Sequence, residues 1–93
     1  MIKSFASKQT KKIWENTSPK GFPADLFRRA VVKLDQIDSA QTLDDMRIPP
    51  SNRLELLGDD RAGYHSIRIN QQWRITFTWS EGHAHEVKIE DYH

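Results

Sequence analysis

Residues 63–79 read Gly63-Tyr64-His65-Ser66-Ile67-Arg68-Ile69-Asn70-Gln71-Gln72-Trp73-Arg74-Ile75-Thr76-Phe77-Thr78-Trp79. On both sides of Asn70-Gln71-Gln72 apolar and polar side chains alternate, the period of a strand buried on one face. His65, Ile67 and Ile69 share one side of the first run, and Trp73, Ile75, Phe77 and Trp79 share one side of the second. Three polar residues between two such runs predict a hairpin. Working outward, Ser80-Glu81-Gly82 predicts another hairpin turn, and Ala84 to Glu90 another strand with Val87 and Ile89 inward. Upstream, Arg53 to Leu57 alternates and reaches Tyr64 through the turn Gly58 to Gly63. Four strands on short connections imply an antiparallel meander.

The first half changes period. Ile2 to Phe5 reads as a short edge strand. Ser7 is placed to cap a helix from Lys8 to about Glu15, with Ile13 and Trp14 on its apolar side. Asn16-Thr17-Ser18-Pro19-Lys20-Gly21 breaks the chain, and Pro23 suits the first turn of a second helix over about residues 23–39. There Leu26, Ala30, Leu34 and Ile37 recur at helical spacing. Thr42 and Asp45 form a capping pair for one further turn, and Ile48-Pro49-Pro50-Ser51-Asn52 leads into a loop. The expectation is an α+β fold of order β-α-α-β-β-β-β, with two N-terminal helices packed on a small, mainly antiparallel sheet. The 93 residues suit a single domain, 1–93, able to bury about 60–70% of the unfolded chain's surface. The absence of cysteine removes disulfides, thiolate zinc sites and cysteine nucleophiles. No apolar run reaches the ~20 residues of a membrane span, and the start lacks a signal-peptide stretch. A soluble, cytoplasmic protein without membrane contact is expected.

Net charge is only +1, yet it is unevenly placed. Residues 1–33 carry eight basic residues against two acids, a balance of +6. Such a segment can contact phosphates, although on charge alone a solvated helix surface stands ahead. The sheet face opposite the helices is expected to carry Tyr64, Ser66, Arg68, Arg74, Thr76, Thr78, Glu86, Lys88 and Glu90, with Arg74 in the middle of a concave surface. His83 and His85, with Asp91 and His93, outline a metal site only weakly, so exposed polar residues at a hairpin end are preferred and no metal or other cofactor is expected. The ending Glu90-Asp91-Tyr92-His93 offers a carboxylate, a phenol and an imidazole for acid–base work.

Asn52-Arg53-Leu54-Glu55, Gly63 to Asn70, Trp73 to Phe77 and Asp91-Tyr92-His93 together resemble the HigB group of RelE/ParE-type toxins, over the whole chain. The resemblance implies a RelE-like fold and the toxin of a type II toxin–antitoxin pair that enters the ribosomal A site and cuts mRNA. It implies a helix-turn-helix antitoxin, the 70S ribosome and mRNA as partners, and operator DNA contacted only through the antitoxin. Arg74, Asp91, Tyr92 and His93 match the group's functional residues. One departure is Gly58, which stands where many relatives have lysine; Arg61, Arg68 or an N-terminal lysine would then substitute, or turnover is weaker.

The implied chemistry needs no metal. The 2′-OH attacks the adjacent phosphodiester and leaves a 2′,3′-cyclic phosphate. His93 would transfer protons near neutral pH, Asp91 would orient it or act as base, and Tyr92 would donate a hydrogen bond or stack on a base. Arg74 would hold the charge developing on phosphorus. Tyr92 has the parity of the open face and Asp91 and His93 that of Val87, so the strand must end or bulge near Glu90 for His93 to approach Arg74. Lys8, Lys12, Arg29, Arg53, Arg61, Arg68 and Lys88 are the expected RNA or ribosome contacts. Two rivals stay open: a non-catalytic ParE-like toxin that inhibits DNA gyrase by binding, and a plain nucleic-acid-binding module.

Overall fold

The computed structural model describes residues 1–91. The first helix, α1, runs Lys8–Trp14 and starts where Ser7 Oγ accepts the Thr10 amide at 3.1 Å. The second, α2, runs Ala24–Ser39 and buries Leu26, Ala30, Leu34 and Ile37. Pro23 stands one residue before the helix rather than in its first turn, because its carbonyl accepts the first helical bond, from the Phe27 amide at 2.9 Å. The Thr42–Asp45 capping pair is present and opens a 3-10 turn, Leu43–Arg47.

The 48–52 loop also contains a turn of 3-10 helix, Pro50–Asn52. Asn52 is fully buried and ties this loop to α2: it accepts from Lys33 Nζ and donates to Gln36 Oε1 at 3.0 Å and to the Met46 carbonyl at 3.1 Å. Arg53 follows in the left-handed conformation, φ 46°. That geometry delays the next strand, so β1 is only Glu55–Leu56 instead of the expected 53–57. The strands β2 (Tyr64–Arg68), β3 (Trp73–Ser80) and β4 (His83–Asp91) complete an antiparallel sheet of order β1-β2-β3-β4. Glu81 and Gly82 both have positive φ between paired Ser80 and His83, the two-residue turn whose twist suits a tight hairpin. His83 therefore begins a strand, whereas the sequence suggested a turn.

The expected N-terminal strand is reduced to two isolated parallel bridges, Ile2 to Ala84 and Phe5 to Val87. Between them β4 bulges: Thr76 pairs with Lys88 and Thr78 with His85, so three steps of β4 oppose two of β3. The bulged Glu86 has φ 55° and gives its amide to Ser4 Oγ rather than to backbone. Before the bulge His85 faces the Thr78 side, and after it Lys88 and Glu90 do. Simple alternation had put Glu86 there and omitted His85.

The helices cover the other face. Ile13 of α1 and the α2 stripe join Ile67, Ile69, Ile75, Phe77, Ala84, Val87 and Ile89 in one core. Thr10 Oγ1 also accepts the Ile89 amide at 3.0 Å, which fixes α1 across β4.

Candidate active site on the open face of the sheet

Arg74 lies on the expected side of β3 but under the surface, with 3% exposure. Alternation decides a side chain's face and leaves its depth open. Here Nη1 donates to Ser66 Oγ at 2.7 Å, and Nη2 meets Glu55 Oε1 at 3.2 Å. The strand register explains the grouping, since Glu55 opposes Ser66 and Ser66 opposes Thr76, all on one side. A desolvated guanidinium in this position binds an anion more strongly than one in water. Its carboxylate partner, Glu55, keeps 46% of its side chain exposed to solvent.

A second ion pair lies beside the first. Glu90 is the Cα partner of Arg74 on β4. Its carboxylate receives both Nη groups of Arg61, at 2.6 and 3.5 Å, and the Thr76 hydroxyl. Burial alone would raise the Glu90 pKa, but the hydrogen bonds from Arg61 and Thr76 and the charges of Arg61 and Lys88 hold it below its ordinary value. The Arg61 guanidinium also lies over the Tyr64 ring, 5.2 Å from its centre. Arg61, Tyr64, Thr76, Lys88 and Glu90 line an open cleft of about 310 Å³ with Asp60 and Glu86.

The C-terminal residues divide at the edge of the description. Asp91 pairs with Trp73, so its parity is that of the helix-covered face, and Gln72 Nε2 donates to its carboxylate at 3.0 Å. Among the described residues β4 runs through Asp91 and its bulge lies at Glu86; the course of the strand beyond Asp91 lies outside the described residues. Tyr92 and His93 lie outside the described residues.

The expected basic contacts fall into three groups. Lys8 and Lys12 are exposed on α1. Arg61 and Lys88 belong to the open face, where Arg61 is committed to Glu90. Arg29, Arg53 and Arg68 line a separate cleft with Lys33. The sequence reading missed Glu55, and it placed Glu90 on the open face without its ion pair. Both share strand parity with cations across the sheet, a signal present once register is known. Among the described residues no cluster of three metal-ligating side chains forms, and no helix is long and apolar enough to cross a membrane.

Comparison with known proteins agrees with this architecture. A family model described as the RelE-like toxin of the type II toxin–antitoxin system HigB matches residues 3–93. Endoribonuclease HigB of Proteus vulgaris is 38% identical over 93 residues, covering 100% of both chains. Toxin HigB-1 of Vibrio cholerae is 44% identical over 66 residues, 71% of this chain and 65% of that one. Among solved structures, the Staphylococcus aureus YoeB–YefM complex aligns with TM-score 0.63 at 19% identity, over 100% of this chain and 98% of the other. YafQ of E. coli aligns with TM-score 0.57 at 11% identity, over 98% and 93%. These two show the shared fold, and the sequence matches carry the assignment: the chain belongs to the HigB-type, RelE-like toxins of type II toxin–antitoxin systems.

Proposed function

We propose that this toxin is an endoribonuclease that cleaves mRNA in the A site of the translating ribosome without a metal ion, and that the open face around Arg74 receives the scissile phosphate. The chain's family and its full-length likeness to an endoribonuclease support the activity. The observation that carries the site is the buried guanidinium of Arg74, held by Ser66 and the half-exposed Glu55. In the reaction the 2′ oxygen bonds to phosphorus, the P–O5′ bond breaks, the 2′ proton passes to a base and the leaving 5′ oxygen gains a proton. Arg74 stabilises the charge on the phosphorane. In this reading Glu55 accepts the 2′ proton, and Asp91, Tyr92 and His93 supply orientation, stacking and the proton for the leaving group. Lys8, Lys12, Arg29, Arg53, Arg61, Arg68 and Lys88 hold RNA or ribosome through phosphates.

Membership of a type II system supports an antitoxin partner. A helix-turn-helix protein is the form proposed, with operator DNA bound through it and the pair acting in the cytoplasm. The test uses purified translating ribosomes with a defined mRNA and mapping of the cut ends. Discrete cuts ending in 2′,3′-cyclic phosphate are expected, persisting in EDTA once the ribosome's own magnesium need is met. Intact mRNA together with inhibited DNA gyrase would establish the ParE-like alternative instead.

A further inference from the structure

A further group of cations gathers at the end of β2, where Arg68 is the cross-strand partner of Arg74. A cleft of about 390 Å³ opens between α2, the 50–53 turn and the β2–β3 connection. Arg29 and Lys33 enter it from α2, Arg53 from the turn and Arg68 from the end of β2, with Ser51 and Asn70 beside them. No carboxylate among the described residues lines it. Among the described residues none of the four cations has an ion-pair partner, in contrast to Arg61 and Arg74.

The arrangement is built rather than incidental. Lys33 donates to the fully buried Asn52, whose other bonds pin the turn that carries Ser51 and Arg53. Arg53 is held in a left-handed backbone conformation that a non-glycine residue adopts at a cost. The Nε of Arg68 is buried with no hydrogen-bond partner among the described residues. Burial, and then the charge of Arg29, lower the pKa of Lys33. Gathering four cations with no counter-charge is unfavourable unless an anion occupies the space, and an oxyanion would also supply the acceptor Arg68 lacks.

We propose that this cleft is a phosphate-binding site, a second one beside Arg74, that takes a backbone phosphate of an RNA strand or a free phosphate. The proposal deepens the reading of the chain as an RNA-cleaving toxin and rests on it for the RNA source. Two neighbouring phosphate sites, one for the scissile group and one at Arg68 and the α2 cations, would fix the register of the strand as well as its affinity.

The test titrates the full chain with pyrophosphate at low salt, followed by backbone amide NMR and calorimetry. Shifts confined to residues around 29–33, 51–53 and 68–70 are expected. Affinity should fall at least fivefold in Arg53→Gln and in Arg68→Gln, with unchanged circular dichroism. A second arm adds a short 2′-O-methyl oligoribonucleotide, which cannot be cleaved. Competition with pyrophosphate identifies an RNA phosphate as the ligand; pyrophosphate binding without competition identifies free phosphate. Absence of cleft shifts, or wild-type affinity in both variants, overturns the proposal. An Arg74→Lys control separates the two readings, since it should lose mRNA cleavage and keep the pyrophosphate site.

Discussion

Ser66 and Glu55 respond differently to the removal of Arg74. Ser66 is fully buried, so its hydroxyl would lose its partner without gaining water, whereas the half-exposed Glu55 would simply rehydrate. Arg74→Ala is therefore expected to cost about 1–3 kcal/mol of stability, read by urea denaturation. Arg74→Lys keeps the charge but loses the planar fork. It should fold normally and cleave about 10²-fold more slowly, the scale of losing one transition-state donor; wild-type cleavage by this variant would remove Arg74 from the chemistry. Gly58 supports a gain-of-function test. It has ordinary negative φ, and a Cβ built there meets nothing within 4 Å. Gly58→Lys should fold as the parent does and raise cleavage by up to about tenfold, or 1.4 kcal/mol of barrier. At this scale the sequence told the side on which Arg74 lies. Its depth depends on Ser66 and Glu55, which come from other strands.

At the scale of elements, β3 and α2 were legible because each carries a long, uninterrupted period. The failures came where one residue breaks a period: Arg53, whose left-handed backbone shortens β1, and Glu86, whose bulge shifts the faces of β4. The bulge also splits the pairing of the N-terminal segment, because the Glu86 amide is diverted to Ser4 Oγ. A β-branched residue tolerates positive φ poorly. Glu86→Val should lower stability by roughly 1–2 kcal/mol, while Glu86→Gly, which adopts this φ freely, should fall within about 1 kcal/mol of the parent. Thermal melts of the two variants decide the matter, and equal stability would mean that the bulge is not strained.

Over the whole molecule, the imbalance of charge was visible in the sequence, but its organisation was not. Arg29, Arg53 and Arg68 are 24 and 15 residues apart along the chain, and only the packing of α2 against the sheet and the 50–53 turn assembles them with Lys33. The same packing sets the response to acid. Burial against Phe77, whose ring lies 5.9 Å away, lowers the His65 pKa from its ordinary 6.5. The Glu90 pKa is also lowered, from 4.5, since Arg61 and Thr76 outweigh its burial. Both groups bind fewer protons folded than unfolded, so stability increases with pH through each transition. The His65 contribution is present above pH 6.5 and is lost as pH falls through its lowered folded value. The Glu90 contribution, up to roughly 1 kcal/mol for a partly exposed pair, is present above pH 4.5 and is lost below that. The melting temperature should accordingly fall in two stages between pH 8 and 3. His65→Phe should flatten the upper stage and leave the lower, whereas Glu90→Gln should remove the lower stage alone. A single acid transition that neither substitution alters would locate the proton uptake elsewhere in the chain.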